Sequence, residues 1–254
     1  MDLKPYFDFT TDLAYRAGRL TLGYYQTDVR PDYKADDTPV TAADRAAEEL
    51  IRGEIERAYP EHAIVGEEYG ESAGQGKPFR WFVDPIDGTK SFMHGVPLYG
   101  VLIGLEIEGV IRVGAAYYPA LDEMLSAAEG LGCWWNGRLA HVSEVDSLER
   151  ACFCFTSYKN FAGREPGLFE RLSNAAYILR GWSDAYGYLL VATGRAEAMF
   201  DPLMNPWDCG PFPAIFREAG GFFGSWQGEA GHLHGEALAC NAALKPQILD
   251  LLCV

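Results

Sequence analysis

Apolar residues at Phe7, Leu13, Ala14, Ala17 and Leu20 recur at helical spacing and predict a helix over residues 6–25. Thr41 stands where a helix cap would. Asp44, three residues later, completes a capping box, so a second helix is expected from there to Tyr59, with Pro60 marking its end. Strand-like apolar runs follow at 63–66, 80–84, 98–106, 110–118 and 122–128, and Glu108-Gly109 is the expected turn of a hairpin. Farther on, Cys152 and Cys154 alternate with Phe153 and Phe155 as in a buried strand. Residues 187–193 and 208–219 read as helices, with short strands near 197–201 and 237–240. The mixture predicts two layered α/β halves, 1–142 and 143–254, with no linker, repeat or low-complexity run.

Composition narrows the function classes. A chain of 254 residues, 48% apolar and 13% aromatic, can bury a substantial core and is expected to be soluble. Its net charge of −15, with no basic stripe, argues against a nucleic-acid partner. The longest apolar stretch, 96–105, is too short to span a membrane. The six cysteines show neither a CxxC pair nor zinc-ligand spacing, and the start lacks a signal-peptide pattern. Reduced thiols and a cytoplasmic location are the expectation.

Three acidic clusters then point to chemistry: Gly66-Glu67-Glu68, Trp81-Phe82-Val83-Asp84-Pro85-Ile86-Asp87-Gly88-Thr89, and Pro206-Trp207-Asp208. Pro85 cannot continue a central strand, so pairing is expected to stop at Asp84 and the chain to turn. Asp84 and Asp87 flank that turn, Gly88 permits close backbone approach to a ligand, and Thr89 adds a hydroxyl. A lone Asp-Gly is an ordinary hairpin turn; the whole string behind an apolar strand is not. Four carboxylates, a carbonyl and a hydroxyl suit hard divalent cations, and Mg²⁺ is typically held by a few carboxylates, water and substrate phosphate. The chain thus reads as a Mg²⁺-dependent phosphatase, and bound ions would reverse the acidic potential that otherwise repels a phosphate ester.

No covalent nucleophile competes with this reading. Ser157, Ser183 and Ser225 lack the GxSxG context. His232 and His234 lie in a Gly-rich loop without a third ligand, and His94 is either at the mouth of the site or simply on the surface. Lys34 is a candidate anchor for the loop before Thr41, and Glu68 a supporting neighbour of Glu67.

The Asp84–Thr89 string resembles the signature of the inositol monophosphatase family of lithium-sensitive, Mg²⁺-dependent phosphatases. Gly66-Glu67-Glu68, Trp207-Asp208 with Glu218-Ala219-Gly220-Gly221, and Pro39-Val40-Thr41-Ala42-Ala43-Asp44 match the other motifs in order, from about Leu13 to the C-terminus. The resemblance implies a layered α-β-α-β-α sandwich, a homodimer, and two to three Mg²⁺ ions, with Mn²⁺ a possible substitute. It implies that Glu67, Asp84 and the Ile86 carbonyl hold a first ion, and that Asp84, Asp87 and Asp208 hold a second. A third, weaker ion leans on Glu67. Glu67 and Thr89 orient the attacking water, with Asp44 behind Thr89, and the backbone N–H groups of Gly88 and Thr89 face the phosphate.

Substrate choice in such a family falls to the residues facing the departing alcohol, here Asp184 and Asp201. The run Arg180-Gly181-Trp182-Ser183-Asp184-Ala185-Tyr186-Gly187 and the continuation Asp87-Gly88-Thr89-Lys90-Ser91-Phe92 are similar to the family's histidinol-phosphate phosphatases. A carboxylate at 184 would attract an ammonium group, which favours L-histidinol phosphate over inositol-1-phosphate. The competing reading makes Asp184 a helix cap. Sugar bisphosphates and nucleotide 3′-phosphates would need more basic residues than Lys90, Lys159 and Arg180. A metal-binding protein that hydrolyses nothing would be expected to have lost a ligand, and none is missing.

Overall fold

The computed structural model describes residues 1–27, 30–34, 38–76, 78–182 and 184–253. Its larger sheet has eight strands, in the order Arg138–Leu139, Gly132–Trp135, Glu123–Ala128, Val110–Tyr118, Gly100–Ile107, Phe79–Asp87, Ala63–Gly66 and Gly70–Ser72. All neighbours run antiparallel except Ala63–Gly66 beside Phe79–Asp87. The smaller sheet has five, in the order Ile178–Arg180, Cys152–Phe155, Ala198–Asp201, Ala237–Asn241 and Gly221–Gly224. Its first two junctions are parallel and the others antiparallel.

The two-residue period of the strands generates the layers. Along Gly100–Ile107 every residue is buried. Val101, Ile103 and Leu105 pack with Leu13, Ala17, Ile51 and Ile55 of the helices Lys4–Thr21 and Ala42–Ala58. Leu102 packs on the opposite side, with Leu189, Phe212, Ile215 and Phe216 of Ala185–Ala192 and Phe212–Ala219. Those two helices also meet the smaller sheet through Met199, Ala237 and Ala239. The helices Tyr158–Arg164, Leu168–Ala175 and Lys245–Leu252 cover its far face through Phe161, Leu172 and Ile248. The result is the expected sandwich of helix, sheet, helix, sheet and helix. Among the described residues no helix is long and apolar enough to cross a membrane.

Three expectations need correction. Pairing does not stop at Asp84. The strand Phe79–Asp87 leaves Ala63–Gly66 at Val83 but stays on Gly100–Ile107 through a bulge between the pairs Asp84↔Leu102 and Asp87↔Gly100. Pro85 falls in that bulge, where its missing N–H costs no ladder bond. The helix expected over 208–219 is broken into Pro206–Cys209 and Phe212–Ala219. Pro211 has no N–H for the Trp207 carbonyl, which takes the Gly210 N–H at 3.2 Å instead. The first helix also ends at Thr21, short of the expected 25. The hairpin turn is as expected: Glu108 and Gly109 take φ of +55° and +79°, as a two-residue turn of matching twist requires.

Candidate active site

The capping box at Thr41 sets the first acidic residue. Thr41 N–H donates to Asp44 Oδ2 at 2.8 Å and Ala43 N–H to Thr41 Oγ1 at 3.1 Å. The other Asp44 oxygen lies 3.3 Å from Thr89 Oγ1. Burial raises the Asp44 pKa above the usual carboxylate value. Thr89 Oγ1 also reaches the Ile86 carbonyl at 3.2 Å, so its single proton serves one acceptor at a time. Thr89 begins the short helix Thr89–Met93, entered through Gly88 at φ +85°, a left-handed conformation that glycine adopts without strain.

Asp84 and Asp87 stand at the two ends of the bulge. Asp208 comes from the one-turn helix Pro206–Cys209, where Asn205 donates to its Oδ2 through the backbone N–H at 2.7 Å and Nδ2 at 3.2 Å. That turn rests on the larger sheet where Gly104 leaves room; a Cβ there would sit 2.1 Å from the Gly210 carbonyl oxygen. Asp84, Asp87 and Asp208 each offer an oxygen, and the three lie within 4.8 Å of one another. Glu67 follows the strand Ala63–Gly66, its N–H donating to the Val83 carbonyl at 3.2 Å.

Burial first, and then repulsion from neighbouring carboxylates, Glu67 above all for Asp84 and Asp184 above all for Asp87, push both well above the usual carboxylate range. Burial also raises Glu67 and puts Asp208 at about 6. Lys34 Nζ stands at the edge, 2.8 Å from both Glu67 Oε1 and Glu68 Oε1. Burial opposes its charge, but the two glutamates outweigh that and raise its pKa, while Glu68 is pushed by burial to about 7. A set of converging carboxylates under such repulsion is a set of hard oxygen donors that a divalent cation would relieve. The residues fit the group.

Asp184 occupies the N-cap position of Ala185–Ala192 but makes no capping hydrogen bond. The Ala185 N–H goes to Asp87 Oδ2 instead. Ser91 Oγ donates to Asp184 Oδ2 at 2.9 Å, and the carboxylate lies over Gly88, where a Cβ would sit 2.9 Å from the same oxygen. The backbone of Asp184 takes φ +55° and ψ −154°, a conformation nearly confined to glycine. Glu67, Gly88, Thr89 and Asp184 line one cleft of about 180 Å³. A larger hollow of about 520 Å³, lined by Ile111, Arg217, Phe222 and His232 among others, shares no residue with it and holds none of these carboxylates.

Asp201 is buried, with Thr156 Oγ1 donating to Oδ1 and Tyr188 OH to Oδ2 at 3.1 Å. Burial pushes it up to about 8. Each oxygen keeps a second lone pair, so what limits direct contact with a ligand is the burial of the side chain. His94 is exposed, its Nδ1 2.8 Å from the Lys90 carbonyl. His232 is buried 3.3 Å from Glu106 Oε2, and among the described residues no metal-binding group includes it. Ser183 lies outside the described residues.

Ser91 and Glu48 are not among the residues the sequence marks for the site, and Lys34 is marked only as a loop anchor. Glu48 did carry a signal: it falls on the inward stripe of Ala42–Ala58 with Asp44, Ile51 and Ile55, where an unpaired charge is unexpected.

Residues 2–253 match the model of the inositol monophosphatase family. The chain belongs to that family. This inositol monophosphatase family member is 42% identical over 240 residues to a histidinol-phosphatase of Chlorobaculum parvum, covering 93% of this chain and 92% of the relative. It is 32% identical over 258 residues to an inositol-1-monophosphatase of Synechocystis, covering 99% and 90%. Among solved structures it is similar to the inositol monophosphatase from Anabaena, with a TM-score of 0.87, 30% identity and coverage of 99% and 96%. The chain is a phosphomonoester hydrolase of a metal-dependent family.

Proposed function

We propose that the chain hydrolyses L-histidinol phosphate to the free alcohol and inorganic phosphate. The observation that carries this reading is the placement of the Asp184 carboxylate, which makes no cap hydrogen bond to its own helix and stands over Gly88 at the wall of the cleft. The histidinol-phosphatase relatives, at 42% and 39% identity, support it.

Glu67, Asp84, the Ile86 carbonyl, Asp87 and Asp208 would hold two to three Mg²⁺ ions, with Mn²⁺ an acceptable substitute. When bound, the ions supply an activated water, charge compensation on the phosphoryl oxygens and stabilisation of the departing alkoxide. Thr89 Oγ1 orients the attacking water: with its proton given to Asp44 Oδ1, 3.3 Å away, or to the Ile86 carbonyl, 3.2 Å away, a lone pair is left for the water. Glu67 holds the water from its other side. The N–H groups of Gly88 and Thr89 precede the first hydrogen bond of their helix, Phe92 N–H to the Gly88 carbonyl at 2.9 Å, and so are available to the phosphate. As the water oxygen bonds to phosphorus and gives up a proton to Glu67, the bond to the alcohol oxygen breaks, and the departing alkoxide takes a proton from solvent water and leaves as the alcohol toward Asp184. An ammonium group on that alcohol pairs with Asp184, an interaction of about 1.5–3 kcal/mol in a partly desolvated cleft. Asp201, which burial pushes up to about 8, adds charge there only above that pH. The family resemblance also carries a homodimer, which light scattering tests.

The test is turnover of L-histidinol phosphate and inositol-1-phosphate side by side at saturating Mg²⁺, in wild type and Asp87→Asn. A preference of roughly tenfold or more for the first ester, abolished with all activity in Asp87→Asn, is expected. A preference for inositol-1-phosphate would overturn the substrate, and surviving activity in the variant would overturn the site.

A further inference from the structure

Glu48 is fully buried on the helix Ala42–Ala58. A buried carboxylate must find hydrogen-bond donors, and it finds them in the turn that carries Glu67. Glu68 N–H donates to Glu48 Oε2 at 2.7 Å and Tyr69 N–H to Oε1 at 3.2 Å. Arg52 Nε donates to Oε1 at 2.7 Å, so the ion pair within the helix leaves Oε2 to the Glu68 N–H.

Gly66 is a second observation, independent of those bonds. A Cβ at Gly66 would lie 2.1 Å from Glu48 Oε1, so the carboxylate fills the volume that any other residue there would need. From the opposite side the Glu67 N–H is held by the Val83 carbonyl, one residue before Asp84. The turn is therefore clamped between the strand that carries Asp84 and Asp87 and the helix that carries Asp44.

We propose that Glu48 is a positioning residue for the cation site: by holding the Glu68 and Tyr69 N–H groups it fixes Glu67 relative to Asp84, Asp87 and Asp208, and so sets cation affinity without touching a cation. The inference rests on the reading of Glu67 as a ligand. The rival account makes Glu48 a stabilising partner of Arg52, which would support the fold equally with and without a cation. Glutamine at 48 keeps the volume but turns one acceptor oxygen into an NH₂ group facing a backbone N–H.

Thermal unfolding of the full chain titrated with Mg²⁺ alone separates the two accounts, using wild type, Glu48→Gln, Glu67→Gln and Glu49→Gln. Glu49 accepts the exposed Tyr69 OH at 2.6 Å and serves as the neighbouring control. The Mg²⁺ concentration giving half the thermal shift is expected to rise roughly tenfold in Glu48→Gln, as for other groups that orient metal ligands, and to stay put in Glu49→Gln. A Glu48→Gln midpoint within about twofold of wild type overturns the proposal, whatever happens to stability without Mg²⁺. Should Glu48→Gln not fold, Glu48→Asp, which shortens the same arm, is held to the same criterion. If Glu67→Gln leaves the midpoint unchanged, the cation-site reading fails; if it shifts the midpoint and the Glu48 variants do not, the Glu48 proposal alone fails.

Discussion

Ser91 Oγ donates a 2.9 Å hydrogen bond to Asp184 Oδ2, joining the helix that follows the Asp-Gly-Thr turn to the start of a helix 93 residues away. This bond, and the bare backbone of Gly88 beneath it, keep the Asp184 carboxylate in the cleft rather than on its own helix. Ser91→Ala should raise KM for L-histidinol phosphate roughly fivefold, corresponding to about 1 kcal/mol for the lost hydrogen bond, and leave kcat unchanged. KM for inositol-1-phosphate should not move. Steady-state kinetics on both esters checks this, and equal effects on the two would remove Ser91 from specificity.

Gly88→Ala is expected to damage both stability and turnover. Alanine at φ +85° is strained by about 1–2 kcal/mol, and its Cβ would press on Asp184 Oδ2. Denaturant unfolding should show a loss of that order, with kcat reduced by more than tenfold because the N–H groups facing the phosphate are displaced. Wild-type kcat in a folded Gly88→Ala protein would contradict the assignment.

The carboxylates of the cleft make stability depend on pH and on Mg²⁺ together. Without a cation, burial holds Glu68 at about 7 and Asp208 at about 6, above the ordinary carboxylate value. A group whose folded pKa is raised contributes stability that is full below its unfolded pKa and is lost as pH rises through the folded value. With EDTA present, unfolding free energy should therefore fall as pH rises from about 6 to about 8. Mg²⁺ should restore more stability at the upper end, where protons no longer compete for the ligands. A Mg²⁺ gain that is the same across this range would count against the cluster.

His232 works in the opposite sense. Burial, with smaller contributions from His234 and Arg80, lowers its pKa to about 4, and its Nε2 lacks a hydrogen-bond partner although Glu106 Oε2 is 3.3 Å away. The unfolded chain takes up this proton near the ordinary histidine value of about 6.5, while the folded chain does not. Its contribution is thus full above that value and is lost as pH falls toward 4, with a slope of up to about 1.4 kcal/mol per pH unit. Urea unfolding between about pH 4.5 and 7 should show a flatter profile in His232→Gln than in wild type.

Much of the site was legible because it is local. Asp84, Asp87 and Thr89 lie within six residues, and Thr41 and Asp44 form one capping box, so spacing alone brings these groups together. Asp208 stands out as a third acidic cluster, but its place beside Asp84 and Asp87 comes only through family resemblance, since nothing near it in sequence foretells that Gly104 leaves room for its turn on the larger sheet. The break at Gly210-Pro211 is legible from the proline alone. Lys34, Glu48 and Ser91 act on partners 33, 20 and 93 residues away, and such contacts exist only once the layers are assembled. The persistence of the strand through Pro85 was likewise hidden, because it depends on Gly100–Ile107 tolerating a bulge.

The central claim, that Asp184 selects a cationic alcohol, is tested most directly by kcat/KM for L-histidinol phosphate and inositol-1-phosphate in wild type and Asp184→Ala at saturating Mg²⁺. The account predicts that the ratio of the two falls by about 10- to 150-fold in the variant, the equivalent of about 1.5–3 kcal/mol, with the inositol ester little affected. An unchanged ratio would contradict it.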